Sequence, residues 1–243
     1  MRHLIFSDVH SNLEALTAVL ADSEKHGFDA GICLGDIVGY GASPNECVET
    51  IASRTDMSSC LGNHDAAVID PSEREFLNPV AQAGVGYSAG ALTADHLEFL
   101  RSLPLVIESN SCFIASHSSP CKPENWTYIL EPFEALDAFH VMTHAVAFIG
   151  HTHFPVVHNS SGSVRAVLAG DRVKILPGHK YIINAGSVGQ PRDADPRAAY
   201  LIFDDDEMAV HFFRVEYDID TATRKIIDAG LPPVLADRIR RGY

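Results

Sequence analysis

Gly62-Asn63-His64-Asp65 follows a short apolar, strand-like run, Met57 to Leu61, and the reading of this tetrapeptide decides the fold. A neutral amide, an imidazole and a carboxylate at the end of a buried strand pack poorly but suit chemistry. Asn63 can offer a metal its amide oxygen, His64 can carry a proton near neutral pH, and Asp65 can orient an imidazole. Gly62 lets the backbone turn sharply. Alone, the tetrapeptide is equally a surface turn, because Gly, Asn and Asp are turn residues. Its neighbours decide between the two.

Toward the N-terminus, Arg2 to Ser7 reads as a buried strand that ends in Asp8-Val9-His10. Leu13, Leu16, Val19 and Leu20 then recur at helical spacing until Gly27, and Ala30 to Leu34 is a second apolar strand ending in Gly35-Asp36. After the loop Ile37 to Ala42, Ser43 as N-cap, Pro44 and Glu46 signal a helix start. Strand, helix, strand, helix, strand at this spacing is the pattern of parallel βαβ units.

Toward the C-terminus, Ala66 to about Leu103 reads as helical, with Ser72 and Glu75 as a capping box and glycines at 84, 86 and 90 weakening its middle. Leu105 to Glu108 and Cys112 to Ala115 are expected to pair as strands around a Ser109-Asn110 turn, the second running into Ser116-His117. Pro120 to Pro132 is irregular and holds Trp126, and Glu134 to His140 suggests a short helix. Val146 to Ile149 is a strand ending in Gly150-His151-Thr152-His153. Further short strands between Pro155 and Val215 have the spacing of an antiparallel meander. A last helix is expected over Ile219 to Ala229 with Asp220 as its cap, followed by a tail whose Arg238, Arg240 and Arg241 read as a solvated face. Five apolar strands thus each end in Gly, Asp, Asn or His. In an open α/β sheet the ligand site lies beyond the carboxyl ends of the strands, so these groups are expected to converge.

Composition narrows the class. The 243 residues are 46% apolar, ample for a sizeable core, and are expected to form one domain. The longest apolar runs, such as Ala145 to Ile149, fall far short of the roughly 20 residues of a membrane span. The first residues lack a signal-peptide pattern, so a soluble cytoplasmic protein is expected. Five cysteines without a C-x-x-C pair suggest neither a disulfide framework nor a thiolate zinc site. A formal net charge of −14 opposes tracking of nucleic-acid backbones, which needs Lys and Arg against phosphates. It leaves phosphate substrates open, because bound cations can neutralise some of the acids.

The converging set of Asp, Asn and His without Cys suits Mn, Fe, Zn, Co or Ni rather than a dedicated calcium site. Seven candidate ligands exceed the needs of one ion, so two ions sharing a carboxylate is the economical reading. Two metals roughly 3.5 to 4 Å apart hold a hydroxide and clamp the oxygens of an in-line displacement at phosphorus. An unligated histidine beside them would protonate the leaving alkoxide.

In order, the motifs D-V-H, G-D, G-N-H-D, S-H and G-H-T-H between residues 8 and 153 resemble those of the calcineurin-like metallophosphoesterase superfamily. The stretches G-D-I-V-G-Y-G and N-A-G-S-V-G-Q-P-R-D-A-D-P-R are similar to its small prokaryotic YfcE-like phosphodiesterase branch. The resemblance implies a four-layer αββα sandwich of two mixed β-sheets flanked by helices. It implies that Asp8, His10 and His153 hold one metal, that Asn63, His117 and His151 hold the other, and that Asp36 bridges. His64 matches the histidine that protonates the leaving group, with Asp65 as its orienting partner. The expected protein is a metal-dependent phosphodiesterase acting on a small phosphate ester by a metal-bridging hydroxide, with manganese the first choice of ion.

Protein phosphatases and symmetrical diadenosine tetraphosphatases carry an arginine in the loop after the bridging aspartate; Ile37-Val38-Gly39-Tyr40-Gly41 has none. That departure opposes the alternative of a phosphomonoesterase or protein phosphatase. A scaffold without catalysis, a use known for this fold, is opposed by the complete ligand set. Asn184-Ala185-Gly186-Ser187 replaces the branch's usual N-P-G-S. Arg192 is open between a phosphate contact and a surface salt bridge, and the Trp126 region and the Tyr40 loop are the places to look for substrate selectivity.

Overall fold

The structure, a computed structural model, describes residues 1–109 and 112–243. The chain opens with β1 (Arg2–Phe6), α1 (Leu13–His26), β2 (Ala30–Cys33), α2 (Pro44–Ala52) and β3 (Met57–Ser59). These are the expected parallel units, with β1 pairing β2 and β2 pairing β3 in parallel. The region expected to be one long helical stretch divides into α3 (Asn63–Ile69), a 3₁₀ turn at Pro71–Phe76, α4 (Pro79–Ala91) and α5 (Ala94–Ser102). Asp70, rather than Ser72, caps the 3₁₀ turn, accepting the Ser72 N–H at 2.9 Å. Pro71 and Pro79 cannot donate within a helix, so each begins an element rather than continuing one.

β4 (Val106–Glu108) and β5 (Phe113–Ser116) pair antiparallel as expected. Asn110 of the expected turn lies outside the described residues. α6 (Leu136–Val141) and β6 (Val146–Ile149) follow. The remaining strands are β7 (Val156–Asn159), β8 (Val164–Ala166), β9 (Arg172–Lys174), β10 (Tyr181–Asn184), β11 (Ala198–Asp204) and β12 (Ala209–Val215). They do not form a meander. One sheet runs β3-β2-β1-β11-β12-β9 and the other β4-β5-β6-β10-β7-β8. β10 lies parallel to β6 and between it and β7, so the segment crosses between sheets repeatedly. Strand spacing alone does not say which sheet a strand joins, because every apolar strand offers one face to the shared core.

The layers follow from the period of two along each strand. On β1, Leu4 and Phe6 pack against α1 residues such as Leu16 and Val19, while Ile5 points between the sheets. On β6, Val146 and Phe148 fill that same inter-sheet core, whereas Ala147 and Ile149 pack outward with Ala138 and Met142. Both sheets are therefore covered on two faces, giving a helix, sheet, sheet, helix arrangement. Two more helices, α7 (Ile219–Asp228) and α8 (Pro233–Arg241), close the chain. Asp218 caps α7 through the Thr221 N–H, and the expected cap Asp220 instead meets Arg240 at 2.7 Å.

Candidate metal centre

β1, β2 and β3 of one sheet and β5 and β6 of the other end at a common edge, and the chemistry collects there. Asp8, His10, Asp36, Asn63, His64, His117, His151 and His153 are all buried. Asp8, His10 and His153 form one group whose ligand atoms could hold a metal ion, and Asp36, His117 and His151 form another. Asp36 stands between them: its Oδ2 is 3.7 Å from His10 Nε2 and 3.3 Å from His117 Nε2. The Asn63 amide oxygen lies 3.1 Å from His117 Nε2.

Hydrogen bonds to backbone carbonyls fix the imidazoles. A carbonyl can only accept, so each ring nitrogen facing one carries the proton. His10 Nδ1 donates to Val38 O, His117 Nδ1 to Leu34 O, His153 Nδ1 to Gln190 O and His151 Nε2 to Trp126 O. The other nitrogen of each ring is turned inward. His10 Nε2 faces His153 Nε2 at 3.1 Å, and His117 Nε2 faces His151 Nδ1 at 3.2 Å. Nitrogens facing each other at that distance need a proton or a cation between them, and Asp8 Oδ1 is buried there without a hydrogen bond among the described residues. The donor set thus fits divalent ions, with the carbonyls acting as the orienting partners that ligating histidines require.

His64 differs. Its Nδ1 is buried with no partner among the described residues, and no carbonyl anchors the ring. The ring is held by packing, 4.5 Å from Tyr40 and 4.8 Å from His10 between centroids. Asp65, expected to orient this ring, does not. Its two oxygens accept the backbone N–H groups of Val38 and Gly62, each at 3.1 Å, because α3 starts at Asn63 and Asp65 caps its first turn. Asp65 therefore ties the loop after Asp36 to the turn that carries Asn63 and His64.

The centre is crowded and strained. Asp8, His10, Asp36, His151 and His153 have φ between 50° and 68°. That left-handed region costs a side-chain-bearing residue about 1 kcal/mol or more. Backbone bonds impose it: Asp8 N–H donates to Gly35 O at 3.0 Å and His10 N–H to Asp36 O at 2.9 Å. Burial alone would neutralise Asp8 and Asp36, but His153 and His10 hold the first carboxyl well below its usual range and His117 and His64 hold down the second. Burial opposes charge on His117 too, yet the Asp36 carboxylate outweighs it and lifts the ring to about 9. Burial pushes His64 and His151 down to about 3 and His153 to about 4, and raises Asp65 to about 7.

Several supporting groups had no signal in the sequence. The carbonyls of Leu34, Val38, Trp126 and Gln190 are backbone and leave no side-chain trace. The Asn184 to Pro191 stretch serves as scaffold: the Asn184 amide donates to Gly150 O at 2.6 Å and Ser187 Oγ to Asp8 O at 2.9 Å. Arg192 makes no surface salt bridge among the described residues; its guanidinium lies 3.4 Å from both Tyr40 Oη and Gln190 Oε1.

Residues 1–208 match the family model described as the calcineurin-like phosphoesterase superfamily domain. An uncharacterized protein of Methanocaldococcus jannaschii is 41% identical over 241 residues, 98% of this chain and 97% of its own length. The crystal structure of a metallophosphoesterase from Sphaerobacter thermophilus is similar at a TM-score of 0.90 and 40% identity, covering 100% of this chain and 99% of that one. A hypothetical protein from Pyrococcus horikoshii shares the fold at 19% identity and a TM-score of 0.83, over 100% of this chain and 98% of its own. The matched residues include the strands that bear Asp8, Asp36, Asn63, His117 and His151, and the chain belongs to the calcineurin-like phosphoesterase superfamily.

Proposed function

We propose that this protein is a phosphodiesterase that hydrolyses a small phosphate diester with two divalent transition-metal ions, manganese first among them. Asp8, His10 and His153 would hold one ion, Asn63, His117 and His151 the other, and Asp36 both. The observation that carries the reading is the contrast between four imidazoles anchored by carbonyls, with their other nitrogens turned inward, and an unanchored fifth, His64, beside them. Ions held there supply an activated water and neutralise phosphate charge.

The remaining work falls to the chain. A β-carbon at Gly39 would lie 2.3 Å from His64 Nδ1, so the loop walls in that nitrogen and leaves Nε2 to face the ester. Burial holds the resting His64 ring neutral, so as the water oxygen bonds to phosphorus and the ester P–O bond breaks, Nε2 would relay the proton that the water releases to the departing oxygen, yielding an alcohol and a monoester. Arg192, free of any carboxylate partner among the described residues, donates to a phosphate oxygen from the Tyr40 side. The loop Ile37 to Ala42 adds no further cation. A singly charged diester needs less cationic help than a doubly charged monoester, which favours the diester.

Protein stripped of metal and reloaded with manganese is expected to hydrolyse an aryl phosphodiester faster than the matching monoester, with His64→Ala strongly impaired. Preference for the monoester would move the assignment to a phosphatase. No turnover with any metal would favour a protein-binding scaffold.

A further inference from the structure

We infer that the substituent the enzyme retains on phosphorus is a nucleoside, whose base stacks in an aromatic cleft beside the metal centre; this rests on the phosphodiesterase reading. The cleft opens from Asn63 and His151 and has a volume of about 510 Å³. That is within the roughly 300 to 1,000 Å³ of small-molecule sites. The 3₁₀ turn at Pro71–Phe76 forms one wall and the segment around Trp126 the other. Phe76, Trp126 and Tyr128 all line it.

Two of these rings lie outside the core. Phe76 is 85% exposed and Tyr128 45% exposed, so neither contributes much to a core. Tyr128 is instead stacked on the His151 ring, with centroids 4.0 Å apart and planes 13° from parallel. Trp126 has φ 50°, an unfavoured conformation for a bulky residue, and its carbonyl receives the His151 Nε2 proton at 2.9 Å. The segment that bears the aromatic wall is therefore fastened to a residue of the centre itself. Binding a ring there requires no movement of the metal site.

Charge selects among occupants. Glu73 and Glu124 line the cleft, and among the described residues no Lys or Arg does. A second phosphate, or a polyphosphate chain, would meet two carboxylates without a counter-charge. A neutral planar group that carries N–H donors meets aromatic faces and carboxylate acceptors, and a nucleobase has both features. Position then assigns the ester groups. His64 stands with His10 and Asp36 on one flank, whereas the cleft opens on Asn63 and His151. The leaving group lies at His64 and the retained nucleoside in the cleft.

The test compares two diesters with one leaving group, thymidine 5′-(4-nitrophenyl phosphate) and methyl 4-nitrophenyl phosphate, on manganese-loaded protein. The nucleoside ester is expected to have the higher kcat/KM by about tenfold or more, the scale of one base stacked on an aromatic side chain. Phe76→Ala, at an exposed position that leaves folding intact, is expected to lower the nucleoside ester's kcat/KM about tenfold more than the methyl ester's. Equal kcat/KM for both esters, or equal loss in the variant, would overturn the cleft assignment and leave the phosphodiesterase reading standing. Failure on both esters with turnover of 4-nitrophenyl phosphate would overturn that reading instead. A second measurement does not need turnover. Trp126 is the one tryptophan of the chain, so its fluorescence reports on the cleft alone. Adenosine 5′-monophosphate is expected to quench it and ribose 5-phosphate not to; equal or absent quenching by the two would refute the inference.

Discussion

A β-carbon at Gly62 would come within 2.2 Å of both the backbone nitrogen and Oδ1 of Asp36. The residue is therefore glycine for want of space beside the Asp36 carboxylate, with φ at −100° giving no conformational reason. Gly62→Ala must push Asp36 away, and is expected to lower manganese content and reduce kcat at least a hundredfold, measured by metal analysis and diester turnover. Overpacking of this kind also costs about 1 to 3 kcal/mol of stability. Asp36→Asn keeps the shape but removes the charge between the two clusters. Its circular dichroism is expected to match the parent while turnover falls by orders of magnitude; near-normal turnover with full metal content would mean that the centre is wrongly assigned.

At the scale of elements, α7 and α8 lie beyond the residues of the family match yet reach the site. Leu235 and Ile239 of α8 and Ala222 and Ile226 of α7 share a buried cluster with Tyr40, whose ring touches His64. Leu235 is fully buried, so Leu235→Ala is expected to cost about 2 to 5 kcal/mol, seen as a lower urea midpoint with an unchanged slope. A different pressure acts on β7. His158 is buried there, with neither ring nitrogen hydrogen-bonded among the described residues. Burial holds the ring below its usual 6.5, although Glu134 and Glu131 pull the other way. The unfolded chain thus binds this proton more readily than the folded one, so its contribution is present above about 6.5 and is lost as pH falls. His158→Leu is expected to flatten the decline in urea midpoint between pH 7 and pH 5; an equal decline in the variant would refute the assignment.

For the whole molecule, the centre joins two sheets across the edge of the apolar core they share. Ligand candidates come from β1, β2 and β3 on one side and β5 and β6 on the other, so ions bound by the folded chain alone stabilise the sandwich. Manganese at a hundred times its Kd would add about 2.7 kcal/mol. For a chain of this size that is roughly 5 to 10 °C in Tm. A chelator is expected to remove the gain, and Asp36→Asn to show little of it. No shift in the parent protein on adding manganese would contradict a site shared between sheets.

The sequence by itself determined the strands that end in D-V-H, G-D, G-N-H-D, S-H and G-H-T-H, because apolar runs and their polar ends are local properties of consecutive residues. The parallel βαβ start and the residues that gather at one edge were legible for the same reason. Helix boundaries between Ala66 and Leu103 were less so, since Asp70 and the prolines at 71 and 79 compete with the apolar spacing. Only the tertiary structure decided which sheet each late strand joins, since alternating faces fit either one. It also decided that Asp65 braces backbone rather than the His64 ring, a choice made by where α3 begins. The roles of the four imidazoles belong to the same level. Histidines look alike in sequence, and what separates a ligand-like ring from His64 is a backbone carbonyl brought from a distant segment: Leu34 for His117, Val38 for His10, Trp126 for His151, Gln190 for His153. A carbonyl is common to every residue, so its placement is a property of the fold and not of any letter in the chain.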